Sequence, residues 1–144
     1  MSRSEDIERI LVAAHALTRI AATTTRDDTP AAQWRALSVL QNEGAQRVGE
    51  LAALSRTTQP GMTRLVGQLV EAGLVTRTPD PDDSRATVVT ITDAGARAID
   101  DWRTTLGVAL APLFDDLGDD DWHALAQASR ILMSRTAARA GAAR

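Results

Sequence analysis

A helix-turn-helix pattern that runs directly into a β-hairpin occupies residues 47–92, and it constrains the fold more than any other feature. Its four predicted segments are a helix over 48–55, a second helix over about 59–71, and strands over 74–78 and 86–92. A polar turn, Arg56-Thr57-Thr58, separates the helices, Gly73 ends the second, and an acidic tip at 79–85 joins the strands. Such a helix pair commonly places one helix in the DNA major groove, and the hairpin makes it a winged helix-turn-helix. The pattern predicts a DNA-binding regulator.

Side chains on the first turns of the second predicted helix are the candidates for reading base edges. A glutamine amide can bond adenine, a threonine offers a hydroxyl or a methyl group, and a methionine can touch a thymine methyl. The candidates are Thr58, Gln59, Met62 and Thr63. Pro60 suits the first turn, where its missing N–H costs nothing. Because N-capping by Thr58 and core packing of Met62 are equally open alternatives, Gln59 and Thr63 are the preferred base readers.

Three arginines around the helix pair are candidates for contacts with the DNA backbone. Arg56 and Arg64 flank the turn and are expected to meet phosphates or a guanine. Arg47 lies at the start of the first helix and can also reach the backbone. The alternative for each is an ordinary solvated arginine.

The acidic tip of the hairpin carries one further arginine, Arg85, on its descending side. A protruding arginine can enter a narrow minor groove, where the negative potential is enhanced. The alternative is a salt bridge from Asp83 or Asp80 that stiffens the wing. The two roles can coexist, and the acids need such partners because they would otherwise repel phosphate.

Apolar residues at three- and four-residue steps predict long amphipathic helices at both ends of the chain. The remaining predicted elements are a helix over 4–24, a loop over 23–28, a helix capped by Thr29 and ending near 44, a long helix from Thr92 or Asp93 with a stripe to Leu117, and a last helix from Asp121 with a fraying tail at 137–144. A domain of this size cannot easily cover all three stripes by itself. Mutual burial in a two-fold dimer is therefore favoured over an intramolecular helical core.

The composition excludes several kinds of chemistry. The 144 residues carry a formal net charge of −3, so any DNA binding depends on a local basic face. All sixteen basic residues are arginine, a bias spread over the whole chain, and cysteine is absent, which excludes disulfides and thiolate catalysis. The sequence lacks a nucleophile–base spacing and a phosphate loop, so an enzyme is a weak alternative and no cofactor is expected. The acids beside His123 are read as helix caps rather than metal ligands, so no metal site is predicted.

The N-terminus is polar and carries no pattern of a charged stretch followed by an apolar one. The apolar run over 10–17 is short and interrupted by His15, so no membrane span is expected. These features predict a cytoplasmic protein.

The order of the helices, the wing and its tip resemble the multiple antibiotic resistance regulator (MarR) family over nearly the whole chain. The strongest local match is a progression of three runs: Glu71-Ala72-Gly73-Leu74-Val75-Thr76-Arg77, then Pro79-Asp80-Pro81-Asp82-Asp83-Ser84-Arg85, then Val88-Val89-Thr90-Ile91-Thr92-Asp93-Ala94-Gly95. A match to all three in order is specific, whereas a bare helix-turn-helix match would be weak. Ile91 departs from the family pattern, in which leucine is usual.

This resemblance implies a homodimeric winged-helix regulator, usually a repressor, that binds a pseudo-palindromic operator and is often released by a small molecule. Arg77, inside the matching run, is counted with the DNA-binding residues. The resemblance also implies that the Asp83–Arg85 pair both shapes the wing and presents it to DNA.

An effector cleft between the dimer helices and the winged domain is a further implication of the resemblance. His15 and Trp34 can line such a cleft, and Arg19 can meet an anionic effector. Core packing is the alternative for Trp34.

The sequence thus predicts one domain over 1–144 that is mainly α with a small β-hairpin. Residues 31–94 are the winged helix-turn-helix DNA-binding region, and residues 4–30 with 95–140 are a helical dimerisation region. The predicted partners are double-stranded DNA, a second copy of the chain and a small-molecule effector. The alternative function is a winged-helix protein-interaction module that does not bind DNA, which the balance of charges over 47–85 keeps open.

Overall fold

A computed structural model describes residues 1–26 and 29–142 of the chain. Over these residues the elements are helices α1 (Arg3–Thr25), α2 (Ala31–Glu43), α3 (Val48–Leu54), α4 (Gln59–Glu71), α5 (Asp93–Leu110) and α6 (Asp119–Ala142), a 3-10 helix (Ala111–Phe114), and strands β1 (Gln46–Arg47), β2 (Val75–Pro79) and β3 (Thr87–Ile91). The helix-turn-helix is α3 and α4, and the wing is β2, β3 and the tip that joins them. The predicted winged helix-turn-helix is confirmed.

Two compact units divide the chain. One comprises Met1–Asp28 with Asp101–Gly118, and the other comprises Thr29–Asp100 with Asp119–Arg144. The second unit contains α2, the helix-turn-helix, the wing, the start of α5 and all of α6. The predicted division into a DNA-binding region and a dimerisation region stays a prediction.

The core of the second unit forms between the helix pair, α2 and the inner face of the sheet. Its buried apolar side chains come from α2, α3, α4, β2, β3 and α5: Ala36, Leu37, Leu40, Leu51, Ala52, Met62, Leu65, Val66, Leu69, Val75, Val89 and Ile99. The buried positions of α4 recur at three- and four-residue steps, as one face of a helix requires. The opposite face of its N-terminal half is left exposed.

The sheet has three antiparallel strands in the order β1-β3-β2. The hairpin register places Val75 opposite Ile91 and Arg77 opposite Val89, and β1 adds Arg47 opposite Val88. The sequence predicted the hairpin and missed β1, because two residues are too few to show the alternation of a strand. The short strand covers the otherwise open edge of β3, and it connects the start of α3 to the wing.

The junction between the wing and α5 is closed by a small set of bonds around Thr92. The backbone N–H of Thr92 donates to the carbonyl of Leu74 at 3.0 Å, and its hydroxyl donates to the carbonyl of Gly73 at 2.7 Å. The same hydroxyl accepts from the N–H of Gly95 at 3.0 Å, so Thr92, one of the two predicted caps, is the residue that caps α5. Gly73, with φ +76°, ends α4 in the left-handed conformation that glycine adopts freely.

The predicted loop over 23–28 is wrong for its threonines, because α1 continues through Thr25. The hydroxyls of Thr24 and Thr25 donate to the carbonyls of Ile20 and Ala21 at 2.8 and 2.9 Å. These bonds satisfy the polar side chains within the helix, which a count of turn-forming residue types does not reveal. Asp27 and Asp28, the end of the predicted loop, lie outside the described residues.

Other helix boundaries also differ from the sequence prediction. The N-cap position of α2 is Pro30 rather than Thr29, and no side-chain bond caps it. The predicted single stripe to Leu117 is interrupted, since α5 ends at Leu110 and a 3-10 helix with Pro112 in its first turn follows. The last helix, α6, starts at Asp119 rather than Asp121 and continues through Ala142, beyond residue 137, where the sequence predicts that the tail frays. Residues 143–144 lie outside the described part of the chain.

The helices at the two chain ends bury few side chains. No residue of α6 is buried over Asp119–Ala142, and Ala21 is the only buried residue of α1 over Arg3–Thr25. Their large exposed apolar side chains are Ile7, Ile10, Leu11, Val12 and Ile20 on α1 and Trp122, Leu125, Ile131, Leu132 and Met133 on α6. Over the described residues, no helix is sufficiently long and apolar to cross a membrane.

We expect Gly95→Ala to destabilise the protein, by about 1–3 kcal/mol or more. A Cβ at this buried position would overlap the Leu74 carbonyl oxygen and lie 2.8 Å from Ile91 Cγ1, so backbone must move. Urea unfolding followed by circular dichroism measures the change in stability.

The matched control is Gly107→Ala in the same helix, where a Cβ would meet no atom within 4 Å. Alanine there should raise the stability by about 0.5–1 kcal/mol, because glycine weakens a helix interior. If both variants unfold at the same urea concentration as the parent, the close approach at Gly95 does not affect the free energy of unfolding.

Candidate nucleic-acid interface

A groove of about 580 Å³ lies between the N-terminal parts of α3 and α4 and the wing. The described residues that line it are Arg47, Val48, Gly49, Glu50, Gln59, Thr63, Val66, Arg77, Asp83, Arg85, Ala86 and Thr87. Six of the predicted DNA-binding residues therefore meet here: Arg47, Gln59, Thr63, Arg77, Asp83 and Arg85. Three guanidinium groups, those of Arg47, Arg77 and Arg85, line the groove together with the carboxylates of Glu50 and Asp83.

Two exposed polar side chains of α4, Gln59 and Thr63, stand one helical turn apart at the edge of this groove. The Thr63 hydroxyl donates to the backbone carbonyl of Gln59 at 3.0 Å. It can therefore offer an acceptor or its methyl group outward, but not its proton. The Gln59 amide lies next to Gly49 of α3, where a Cβ would be in ordinary contact with Gln59 Oε1 at 3.5 Å.

Three of the predicted DNA-binding residues have structural roles in α4: Thr58, Pro60 and Met62. The Thr58 hydroxyl accepts from the N–H of Gly61 at 3.2 Å and so caps the helix, and Pro60 occupies the first turn. Met62 is fully buried, in the core with Leu69. Its assignment to the DNA-binding set is wrong, because the helical period places residue 62 on the inner face of α4.

Arg56 and Arg64 are both exposed and lie outside the lining of the groove. Arg56 has φ +53°, a left-handed conformation that costs a non-glycine residue about 1–2 kcal/mol. The turn around it is held by backbone bonds, among them Thr57 N–H to the Ala52 carbonyl at 2.9 Å. The predicted contacts of both arginines with phosphate stay predictions.

The wing tip is organised by a carboxylate that the sequence analysis did not single out as a site residue. Asp80 is buried, with 8 % of its surface exposed, and its Oδ2 accepts from Arg47 Nε at 2.6 Å. Its Oδ1 accepts from the Asp82 N–H at 2.8 Å. This local bond, followed by the Arg47 ion pair, holds the pKa of Asp80 below its ordinary value, and the bond to Asp80 raises the pKa of Arg47.

The predicted salt bridge to Arg85 comes from Asp83 and not from Asp80. Asp83 Oδ1 lies 3.5 Å from Arg85 Nε and accepts from the Arg85 N–H at 3.0 Å. The Arg85 side chain is nevertheless 92 % exposed, so this bond fixes its backbone more than its guanidinium.

The sequence does contain a signal for the role of Asp80. An aspartate at the start of a turn often accepts a bond from the backbone N–H two residues later, as Asp80 does from Asp82, and the Pro79-Asp80-Pro81 run could have identified it.

The predicted effector residues belong to different units of the chain. His15 and Arg19 lie four residues apart on α1, both exposed, and Trp34 is half-buried on α2. An effector cleft that includes them stays a prediction. Among the described residues, no three histidine, aspartate or glutamate side chains are grouped closely enough to hold a metal ion.

Comparisons with known proteins converge on one family. Residues 27–86 match the model of the MarR family. The chain is 40 % identical over 67 residues to the HTH-type transcriptional regulator MT0903.1 of Mycobacterium tuberculosis, covering 46 % of this chain and 47 % of that protein. It is 32 % identical over 73 residues to the HTH-type transcriptional repressor IacR of Pseudomonas putida, covering 51 % and 44 % of the two chains. The matched segment thus spans about half the length of these curated relatives.

A solved structure extends the likeness beyond the matched segment. The transcriptional regulator Tm0710 from Thermotoga maritima superposes with a TM-score of 0.70 at 29 % identity, covering 90 % of this chain and 93 % of that one. The superposed residues therefore extend well beyond the segment that matches the family model.

The Arg47–Asp80 pair predicts a pH dependence of stability. The pKa of Asp80 is lower in the folded than in the unfolded state, so its contribution is fully present above its unfolded pKa, about 4, and is lost as the pH falls through the folded value. We expect the parent to lose stability more steeply than Asp80→Asn below about pH 4. Urea unfolding midpoints at a series of pH values between 6 and 3 measure the difference.

Asp82→Asn is the matched control, because Asp82 is an exposed carboxylate on the same tip. This variant keeps the Arg47–Asp80 pair, so it should keep the loss of stability that the pair causes below about pH 4. Parallel profiles for the parent and Asp80→Asn would show that the Asp80 carboxylate titrates alike in the folded and unfolded chains.

Proposed function

Because this chain belongs to the MarR family, we propose that it is a sequence-specific regulator of transcription that binds double-stranded DNA, as a repressor. The observation that carries the proposal is the groove in which Gln59 and Thr63 of α4 face Arg77 and Arg85 of the wing. Polar side chains suited to base edges and cations suited to phosphates thus share one surface. A winged-helix interaction module without DNA binding has no need of this combination.

In the proposed complex α4 enters the major groove and the wing lies along the adjacent backbone. Gln59 reads a base edge with its amide, and Thr63 adds an acceptor or a methyl contact. Arg85 is exposed at the wing tip, where it reaches the minor groove. Arg56, Arg64 and Arg77 contact phosphates, which fix the register of the protein without reading sequence.

We further propose that the chain is a homodimer held by α1 and α6. Each of these helices leaves apolar side chains exposed that water does not favour, and a second copy would bury both sets. A two-fold dimer presents two copies of α4, so the operator is an inverted repeat with half-site centres about 10 bp apart, or a multiple of it. A small-molecule effector, with His15, Arg19 and Trp34 as its contacts, stays a prediction.

We expect Leu132→Asp on α6 to convert the dimer to monomers and to weaken DNA binding at the same time. The substitution places a charge among apolar side chains that the partner is proposed to cover, and a monomer loses the second half-site. Sedimentation at micromolar concentration measures the first effect, and titration of a DNA duplex measures the second.

The matched control is His123→Asp, which places the same side chain at an exposed position of α6 whose neighbours one turn away include none of these apolar side chains. It should remain dimeric. A parent protein that sediments as a stable monomer would contradict the dimer, whatever the variants do.

Gln59→Ala and Arg85→Ala are expected to weaken DNA binding in different ways. Loss of a base contact at Gln59 should reduce discrimination between operator and scrambled duplex by about 1–3 kcal/mol per half-site. Loss of Arg85 should weaken binding to most sequences and reduce the salt slope by about one unit per subunit. The measurement is affinity against salt concentration, with an operator selected from random DNA by the parent protein.

Arg97→Ala removes the same charge from an exposed position outside the groove, so it should keep the parent's affinity and slope. If the parent binds neither duplex, the DNA-binding proposal is wrong and the interaction module is favoured. If Gln59→Ala leaves the ratio of affinities unchanged, another part of α4 reads the bases.

A further inference from the structure

We infer that Asp80 is a positioning residue for DNA binding, whose buried negative charge strengthens the binding of a polyanion. Its carboxylate holds Arg47, at the start of the helix pair, and the tip of the wing in one arrangement. The inference rests on the proposed function and concerns how the two DNA-contacting parts are kept in register.

The burial of Asp80 is the first observation. Charged side chains are seldom buried unless they are paired, because removal from water costs free energy that only specific partners offset. Each Asp80 oxygen has such a partner: Oδ2 accepts from Arg47 Nε at 2.6 Å, and Oδ1 accepts from the Asp82 N–H at 2.8 Å. Asp82, two residues along the same tip, is exposed. Asp80 is therefore built into the structure, whereas the side chain of Asp82 is solvated.

Arg47 supplies a firm attachment on the side of the helix pair. It belongs to β1, opposite Val88 of β3, and directly precedes α3. Its N–H donates to Glu50 Oε1 at 3.1 Å, which fixes the first turn of that helix. The side-chain bond to Asp80 then connects this turn to a residue 33 positions later in the sequence. About half of the Arg47 side chain remains exposed, at 46 %, and it lines the groove.

A chain of bonds continues from Asp80 to Arg85 on the other side. The Asp80 N–H donates to the Ala86 carbonyl at 2.9 Å, and the Ala86 N–H donates to the Asp83 carbonyl at 2.9 Å. Asp83 in turn accepts from the Arg85 N–H at 3.0 Å. The backbone of Asp80 is thus bonded to the turn that carries Arg85, and the Asp80 side chain connects this backbone to Arg47 at the start of α3. The exposed guanidinium of Arg85 follows that backbone.

Electrostatics alone predicts the opposite effect of Asp80 on DNA binding. Any carboxylate on the wing tip repels phosphate, so its removal would strengthen DNA binding through the general Coulomb effect. If Asp80 has a positioning role, removal of its carboxylate weakens DNA binding instead of strengthening it. Removal of the Asp82 carboxylate should still strengthen binding or leave it unchanged. The two aspartates therefore form a matched pair in which the same change of charge separates the two explanations.

The experiment compares Asp80→Asn and Asp82→Asn in the full-length protein, titrated with the operator duplex selected by the parent at several salt concentrations. We expect Asp82→Asn to bind as tightly as the parent or more tightly. We expect Asp80→Asn to bind more weakly, by about 3- to 30-fold, and to lose about one unit of salt slope per subunit as Arg85 leaves the minor groove. Circular dichroism gives the folded fraction, and affinities are referred to folded protein, so partial unfolding lowers the concentration of active protein but does not change the slope.

A double-mutant cycle with Arg47→Gln tests whether the pair acts as a unit. The double variant should bind no more weakly than the weaker of the two single variants, and additive losses would show that each residue acts separately. Tighter binding or a steeper salt slope for Asp80→Asn would overturn the inference, since the freed Arg47 would then contact phosphate better alone. Failure of the parent to bind DNA would instead contradict the proposed function.

Discussion

The close approach of Gly95 to the Leu74 carbonyl is the constraint on which the arrangement of the second unit depends. At this point the end of α4, both strands of the wing and the start of α5 meet within a few residues. Thr92 makes three bonds there, two to the segment after α4 and one to the first turn of α5. Because residue 95 has no side chain, the helix can start against the strand backbone itself. The wing is thereby attached at its base, and its tip is attached separately at Asp80.

The charged groups of the wing tip differ in how far they are exposed and bonded, although the charges over 47–85 are balanced in the sequence. Of the acids on the wing tip, Asp80 is turned inward onto Arg47 and Asp83 accepts from the backbone of Arg85. Their negative charges are thus engaged by groups of the tip and of the helix pair. The guanidinium of Arg85 stays almost wholly in solvent, and Arg77 lies in the groove beside it. Counting charges along the sequence cannot separate engaged from free groups, and the folded geometry can.

Local patterns in the sequence were sufficient for the helix pair and the hairpin. Gly73 and the Thr58-Gln59-Pro60 start fix the ends of α4 by chemistry that acts within a few residues, and α4 was predicted at its observed bounds. The strand β1 and the Arg47–Asp80 bond could not be predicted in this way. Both join segments more than thirty residues apart, and only the assembled sheet brings them together.

The roles of side chains could likewise be predicted where they depend on local sequence, and not where they depend on the assembled fold. From the sequence, Met62 could equally contact DNA or pack in the core. The structure places it on the buried face of α4, in the core. The exposed apolar stripes of α1 and α6 were readable from their spacing, since they depend only on helical period. The threonines at the end of α1 were misread because their hydroxyls bond within the helix rather than to a turn.

The left-handed backbone at Arg56 makes stability and charge compete at one position. A glycine would adopt φ +53° without steric cost, yet the chain carries a cation there, exposed beside the helix pair. A screen that rewards heat resistance alone would favour glycine at this turn and would remove a guanidinium from the surface proposed to face DNA. Engineering of a more robust variant should therefore leave this turn untouched and seek its gains elsewhere, for example at solvated helix positions.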